Sequence, residues 1–80
     1  MARVIFPSDL QQLTGERETQ VVASDFRGLV VELCARYSAL SPERLHKYAV
    51  AIDGMIIQRP LLERFAADSE LVFMGRIAGG

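Results

Sequence analysis

The sequence is short of the residues from which several kinds of functional site are built. It has one cysteine, Cys34, so no internal disulfide can form. It has one histidine, His46, with no second histidine or cysteine at ligand spacing, so we expect no bound metal. A small chain without disulfides is typical of a reducing compartment, and we expect a cytoplasmic protein.

The sequence also has no large excess of one charge and no long apolar run. Nine basic and ten acidic residues give a formal charge of −1, and no basic run predicts a nucleic-acid partner. No apolar run approaches the ~20 residues of a membrane span, and the N-terminus lacks the apolar core of a signal peptide. No glycine-rich phosphate loop is present, so we expect no cofactor on this chain. The basic residues are Arg3, Arg17, Arg27, Arg36, Arg44, Lys47, Arg59, Arg64 and Arg76.

What is present is enough apolar material for one small domain, since 50% of the 80 residues are hydrophobic. Residues 3–6 are β-branched or aromatic and predict a first strand. Residues 19–23 predict a second strand, antiparallel to the first. Between them, residues 8–18 are interpreted as a loop or wide hairpin turn, held against the domain by Leu10 and Leu13 at helical spacing.

The clearest element is an amphipathic helix that begins near residue 26. Its apolar positions follow the i, i+3, i+4, i+7, i+8, i+11 spacing of one helix face. Ser24 or Asp25 can supply the N-cap oxygen, and Pro42 ends the pattern. Gly28 inside the helix predicts a close approach to the sheet. The apolar positions are Phe26, Leu29, Val30, Leu33, Cys34 and Tyr37, so Cys34 is expected to be a buried structural residue.

The second half of the chain predicts three more strands. Residues 47–52 alternate large and small side chains, which predicts Ala49 and Ala51 on the outer face of the sheet. Asp53-Gly54 is a strong hairpin signal, followed by a short strand at 55–57. Residues 61–65 suggest a short helical turn packed on the sheet, and 67–70 a polar turn. Residues 71–74 form the last predicted strand.

This order predicts an α+β fold in which one long helix covers one face of a mixed sheet. We expect a domain over residues 1–74 and a flexible tail over 75–80 that ends in Gly79-Gly80. A terminal diglycine alone is also compatible with a frayed end that has no chemistry.

The whole chain resembles the bacterial sulfur-carrier family of ubiquitin-like β-grasp proteins, which includes MoaD, ThiS and the CysO-type carrier. The resemblance rests on residues 3–6 (RVIF), 13–15 (LTG), 21–23 (VVA), 37–41 (YSALS), 45–54 (LHKYAVAIDG) and 77–80 (IAGG). The middle of the chain is most similar to the CysO type. Two departures are the Asp68-Ser69-Glu70 turn, where the family has Asp-Gly-Asp, and Gly75-Arg76, where the family often has proline.

The resemblance implies a protein co-substrate that is not itself an enzyme. An E1-like activating enzyme would bind ATP and adenylate the Gly80 carboxylate, and a sulfur donor would convert it to a thiocarboxylate. A downstream synthase would then accept the sulfur, for cysteine or a sulfur-containing metabolite. Three alternatives remain open: a MoaD-like subunit of molybdopterin synthase, a covalent protein modifier, and a β-grasp interaction module whose tail has no chemistry.

The activating enzyme needs a surface beside the tail. Alternation on the last strand points Val72 and Met74 outward, and with Ala51 they predict an exposed apolar docking patch. Scattered surface hydrophobics would give the same pattern. The tail residues Ile77, Ala78 and Gly79 are expected to lie in a narrow partner channel, since glycine adds no side chain there. Arg76 is expected either to pair with an acidic groove or to remain solvated.

Overall fold

The computed structural model describes residues 1–76, in which a mixed sheet is covered on one face by helices. The five strands lie in the order β2-β1-β5-β3-β4; β1 and β5 are parallel and the other neighbours are antiparallel. This confirms the predicted α+β class. The elements are β1 (Ala2–Ile5), α1 (Ser8–Thr14), β2 (Glu18–Val21), α2 (Phe26–Arg36), α3 (Pro42–Leu45), β3 (Tyr48–Ile52), β4 (Met55–Ile57) and β5 (Glu70–Gly75).

The core lies between α2 and the inner face of the sheet. Phe73 of β5 is at its centre, with ring centroids 6.0 Å from those of both Phe26 and Tyr48. Burying a large apolar side chain contributes about 1.5–3 kcal/mol, so this cluster is the main source of stability. Side chains with at most 1% exposure include Val4, Phe6, Leu10, Val21, Phe26, Leu29, Leu33, Leu45, Val50, Leu71 and Phe73.

The segment predicted as a loop between the first two strands contains a helix, so that prediction is wrong. Pro7 occupies the N-cap of α1, and Gly15 ends it in the left-handed region at φ 76°. Leu10 is fully buried, and the Tyr48 hydroxyl donates a hydrogen bond to the Asp9 carboxylate. Seven residues give too little periodicity to show in the sequence, although proline and glycine at the two ends are helix signals.

Helix α2 begins where the sequence places it, with Asp25 as the N-cap. The Asp25 carboxylate accepts a 2.8 Å hydrogen bond from the Gly28 backbone N–H. A Cβ at Gly28 would come within 3.0 Å of that carboxylate oxygen and 3.3 Å of the Ala23 methyl group. The close approach at Gly28 is thus to the helix cap and to Ala23, which follows the end of β2, and the absence of a side chain makes room for both.

The β3–β4 hairpin confirms the Asp53-Gly54 signal. Ile52 pairs with Met55, so two residues form the turn, and both have positive φ, at 51° and 86°. The connection from β4 to β5 differs from its prediction. Instead of a helical turn packed on the sheet, Leu61 and Leu62 lie in an exposed turn, and Phe65 packs against the core.

No helix among residues 1–76 is long and apolar enough to cross a membrane.

Candidate partner-docking site

Strand β5 carries the chain from the centre of the sheet towards the predicted tail. It lies between β1 and β3, and its register pairs Met74 with Ala49 and Gly75 with Tyr48. The strand therefore continues one residue beyond its predicted end at Met74. The tail residues Ile77, Ala78, Gly79 and Gly80, including the predicted reactive carboxylate, lie outside the described residues.

The outer face of the sheet carries a row of apolar side chains across four strands. Ile5, Val72, Ala51 and Ile56 are successive cross-strand partners on β1, β5, β3 and β4. Directly paired residues share one face of a sheet, so these side chains are neighbours. Met74 and Ala49 form the adjoining pair nearer the end of β5. We call these six residues the outer apolar face.

The exposure of these residues corrects one part of the sequence prediction. Val72 and Met74 are half-buried, whereas Ala51 is only 8% exposed and Ala49 is fully buried. Both alanines were predicted to be exposed. Their short side chains lie between the larger residues of the neighbouring strands, so they form the floor of the face. A partner would contact the larger side chains beside these alanines, such as Val72 and Met74.

Sequence reasoning missed Ile5 and Ile56, which extend the outer apolar face to both sides. Ile56 is 52% exposed, more than the half-buried Val72 beside Ala51. Neither isoleucine is close to the tail in sequence. The Asp53-Gly54 turn was a usable signal for Ile56, because it fixes the partner of each β4 residue. No comparable signal exists for Ile5, whose position depends on the long-range pairing of β1 with β5.

Charged side chains close the end of the face that is remote from the tail. Arg3 forms an ion pair with Glu70, and its Nε lies 3.7 Å from a carboxylate oxygen of Glu18. Arg3 also pairs across the sheet with Gln20 and Glu70. The outer face is thus polar at the start of β5 and apolar at its end. This polarity favours a partner that approaches from the tail side.

Arg76, the last described residue, is bonded to the body of the domain. Its Nε donates a 3.0 Å hydrogen bond to the Gln58 carbonyl, and Nη2 donates to the His46 carbonyl. These bonds tie the base of the tail to the ends of β4 and α3. A guanidinium has five N–H donors, so a carboxylate of a partner can still bind it.

Cys34 and His46, the only cysteine and the only histidine of the sequence, have structural surroundings in residues 1–76. Cys34 is half-buried against the core rather than fully buried, and burial raises the pKa of its thiol. A raised pKa lowers the fraction of nucleophilic thiolate, which agrees with the structural role predicted for Cys34. His46 caps α3, and its ring centroid lies 6.4 Å from that of Phe26.

The fold has known relatives among solved structures, although no protein-family model and no curated protein matches the sequence. SAMP1 from Haloferax volcanii is 22% identical, with a TM-score of 0.68 over 99% of this chain and 98% of its own. Small archaeal modifier protein 1 from Methanosarcina acetivorans is 17% identical, with a TM-score of 0.76 over 99% of this chain and 95% of its own. This chain therefore has the ubiquitin-like β-grasp fold.

Proposed function

We propose that this chain is a cytoplasmic carrier protein that acts through the carboxylate of Gly80, in the form of the protein that ends at that residue. It serves as a co-substrate for partner enzymes and performs no catalysis itself. The supporting observation is the outer apolar face, whose half-buried Val72 and Met74 lie on the strand that leads into the tail. A partner seated there would hold the tail within reach of its own active site.

The proposed reaction begins with ATP bound to an E1-like activating enzyme. A carboxylate oxygen of Gly80 attacks the α-phosphorus, pyrophosphate leaves, and an acyl-adenylate forms. A sulfide-equivalent donor held by the partner then attacks the acyl carbon, and AMP leaves with the electrons of the broken C–O bond. The product is a C-terminal thiocarboxylate, which a downstream synthase accepts as its source of sulfur. Without Cβ atoms, Gly79 and Gly80 leave the acyl carbon open to attack.

The recipient pathway follows from the resemblance of the middle of the chain to the CysO type. We propose that the sulfur enters cysteine or a related sulfur-containing metabolite. A MoaD-like role, in which the protein is the small subunit of molybdopterin synthase, is the alternative within the same chemistry. Purification from the host distinguishes the two, because a MoaD-like subunit would be recovered with the large subunit of that synthase.

A second candidate function is covalent protein modification. It is favoured by the two similar structures, both of which are named as modifiers and both of which match 99% of this chain. Modification uses the same adenylation step. The acyl group then passes to a lysine amine of another protein and forms an isopeptide bond.

Intact-mass measurement tests the proposal and separates the candidates. The protein is purified from its host without a C-terminal tag, so that the mass also establishes whether Gly80 is the last residue. The carrier function predicts a species in which one sulfur replaces one oxygen. Alkylation by iodoacetamide confirms the thiocarboxylate when peptide mapping places the added group on Gly80 and not on the free thiol of Cys34. Conjugates that release Gly80-linked lysine peptides on digestion would instead support the modifier. An unchanged mass after incubation with the activating enzyme, ATP and a sulfur donor would refute the carrier function, and absence of ATP–pyrophosphate exchange would refute both candidates, since both begin with adenylation.

A further inference from the structure

The fold gathers four arginines that are scattered along the sequence. Two neighbouring clefts share Leu61 as a common wall. The larger, of about 350 Å³, is lined by Phe26, His46, Arg59, Pro60, Leu61 and Arg76. The smaller, of about 190 Å³, is lined by Asp25, Arg27, Leu61, Leu62 and Arg64. We call the surface formed by Arg27, Arg59, Leu61, Leu62, Arg64 and Arg76 the arginine–leucine face.

This surface belongs to a fixed part of the domain. The Phe26 N–H donates a 3.0 Å hydrogen bond to the Glu63 carbonyl, and the Phe65 N–H donates one of 3.0 Å to the Ser24 carbonyl. A 2.8 Å bond from the Glu63 N–H to the Pro60 carbonyl closes the turn between them. These hydrogen bonds fix the turn to the start of α2, so Leu61 and Leu62 have a defined position.

The two leucines in the middle of the face are unusually exposed. Leu62 is 79% exposed and Leu61 is 43% exposed. Contiguous exposed apolar side chains with a polar rim are typical of protein interaction sites. The exposure does not result from a loose loop, because the backbone on both sides is hydrogen-bonded to α2.

The charge of this face is not balanced within the domain. In residues 1–76, the salt bridges involve only Arg3 and Arg36, and neither belongs to the face. Asp25 is the single carboxylate that lines either cleft, and it already accepts the cap hydrogen bond from Gly28. Four of the nine basic residues thus collect on one surface of a chain whose net charge is −1.

We propose that the arginine–leucine face is a second docking surface, and that it binds an acidic segment of a partner protein that carries aliphatic side chains. Carboxylates fit the guanidinium rim, since arginine binds them with paired hydrogen bonds. Aliphatic side chains of the partner cover Leu61 and Leu62 and fill the clefts beside them.

A protein segment fits this face better than a nucleic acid does. Nucleic-acid surfaces combine a basic groove with exposed aromatic rings on which bases stack. The exposed apolar groups here are aliphatic. Two aromatic rings line the larger cleft, but Phe26 is only 1% exposed, which leaves the single imidazole of His46 as an exposed ring. Five of the six residues of the face also lie outside the predicted tail, so this docking does not depend on the chemistry of Gly80.

The test uses a short synthetic peptide of glutamate and leucine as the probe and amide NMR of the full chain as the readout. We expect shifts confined to residues 25–27, 46, 59–64 and 76, and weaker binding at higher salt. Leu62→Ser and Arg59→Ala should each weaken binding by about three- to tenfold, equivalent to about 0.6–1.4 kcal/mol in the free energy of binding. Val22→Ser is the matched control, because Val22 is 71% exposed, lines neither cleft, and lies beside Glu32, on a different side of α2 from Arg27.

Two further probes decide the class of partner. A peptide with serine in place of leucine should bind at least about threefold more weakly, and a single-stranded oligothymidine should bind more weakly than the glutamate–leucine peptide. Equal or tighter binding of the oligonucleotide would overturn the proposal in favour of a general polyanion site. Absence of shifts on the face with any probe would overturn it as well. Thiocarboxylate formation by Leu62→Ser, measured in parallel, scores the carrier function separately and should remain unchanged.

Discussion

The Asp53 carboxylate accepts a 2.8 Å hydrogen bond from the hydroxyl of Ser69, which joins the β3–β4 hairpin to the turn before β5. The same carboxylate accepts a 2.9 Å bond from the Glu70 N–H, and the Ser69 hydroxyl accepts one from the Ala66 N–H. Ser69 is only 3% exposed. Serine thus has a structural role at the position where the sulfur-carrier family usually has glycine.

Removing the Ser69 hydroxyl should destabilise the domain. Ser69→Ala leaves the part-buried Ala66 N–H without its acceptor and removes one donor from Asp53, whose exposed carboxylate can bind water instead. We expect the free energy of unfolding to fall by about 0.5–1.5 kcal/mol, measured by chemical denaturation. Ser38→Ala, at an exposed position, should change it by less than about 0.5 kcal/mol. Equal stability of the two variants would show that the Ser69 hydrogen bonds contribute nothing.

The same site predicts a dependence of stability on acid. Hydrogen bonds from the Glu70 N–H and then from Ser69 lower the pKa of Asp53 in the folded protein. The unfolded chain therefore binds a proton first as the pH falls below about 4, and stability declines until the folded carboxyl is protonated as well. Asp53→Asn keeps an acceptor oxygen but cannot titrate. Its stability should fall less than that of the natural protein between about pH 4 and 2, and parallel curves would contradict this prediction.

A charge on the outer apolar face should block docking. Met74→Asp and Ile56→Asp each place a carboxylate where a partner would exclude water. We expect affinity for the activating enzyme to fall by about tenfold or more, measured by calorimetry. Val31→Asp is the control for an exposed apolar residue away from this face. Native affinity in both outer-face variants would exclude the face as the docking site.

A side chain next to the reactive end should stop adenylation while the domain remains folded. Gly79→Val adds a β-branched group in the channel through which the tail must pass. We expect ATP–pyrophosphate exchange to fall by about 100-fold, equivalent to about 2.7 kcal/mol in the barrier. Gly75→Ala should retain exchange, since a Cβ at Gly75 would meet no atom within 4 Å. Normal exchange by Gly79→Val would refute the narrow channel.

Local patterns were sufficient to predict the strands, the long helix and the Asp53-Gly54 hairpin. Their periodicity and turn residues act over a few positions, so the sequence displays them directly. Helix α1 was missed because Leu10 and Leu13, one pair of apolar residues at helical spacing, form too short a repeat to distinguish a helix from a loop. The burial of Ala51 escaped for another reason. Alternation gives the face of a strand residue, but exposure also depends on the size of its neighbours across the sheet.

The arginine–leucine face could not be predicted at all from the order of residues. Arg27 is on α2, whereas Arg59 and Arg64 lie on the connection between β4 and β5. They come together because backbone bonds fix that connection to residues 24–26. Such a surface arises from tertiary contacts between segments that are far apart in the chain. No motif within either segment indicates that the two segments will lie side by side.

The parallel pairing of β1 with β5 has a consequence for biosynthesis. Arg3 pairs with Glu70 and Ile5 with Val72, so the central strand of the sheet is the last to be translated. While β5 is still inside the ribosome, the emerging chain holds two separate hairpins with no strand to join them. Pairing β1 with β5 also closes the long chain between them into a loop, which costs entropy and slows the pairing of the two strands. The native sheet therefore cannot form until β5 has left the exit tunnel, and until then Phe26 and Tyr48 lack the Phe73 ring that packs against both of them.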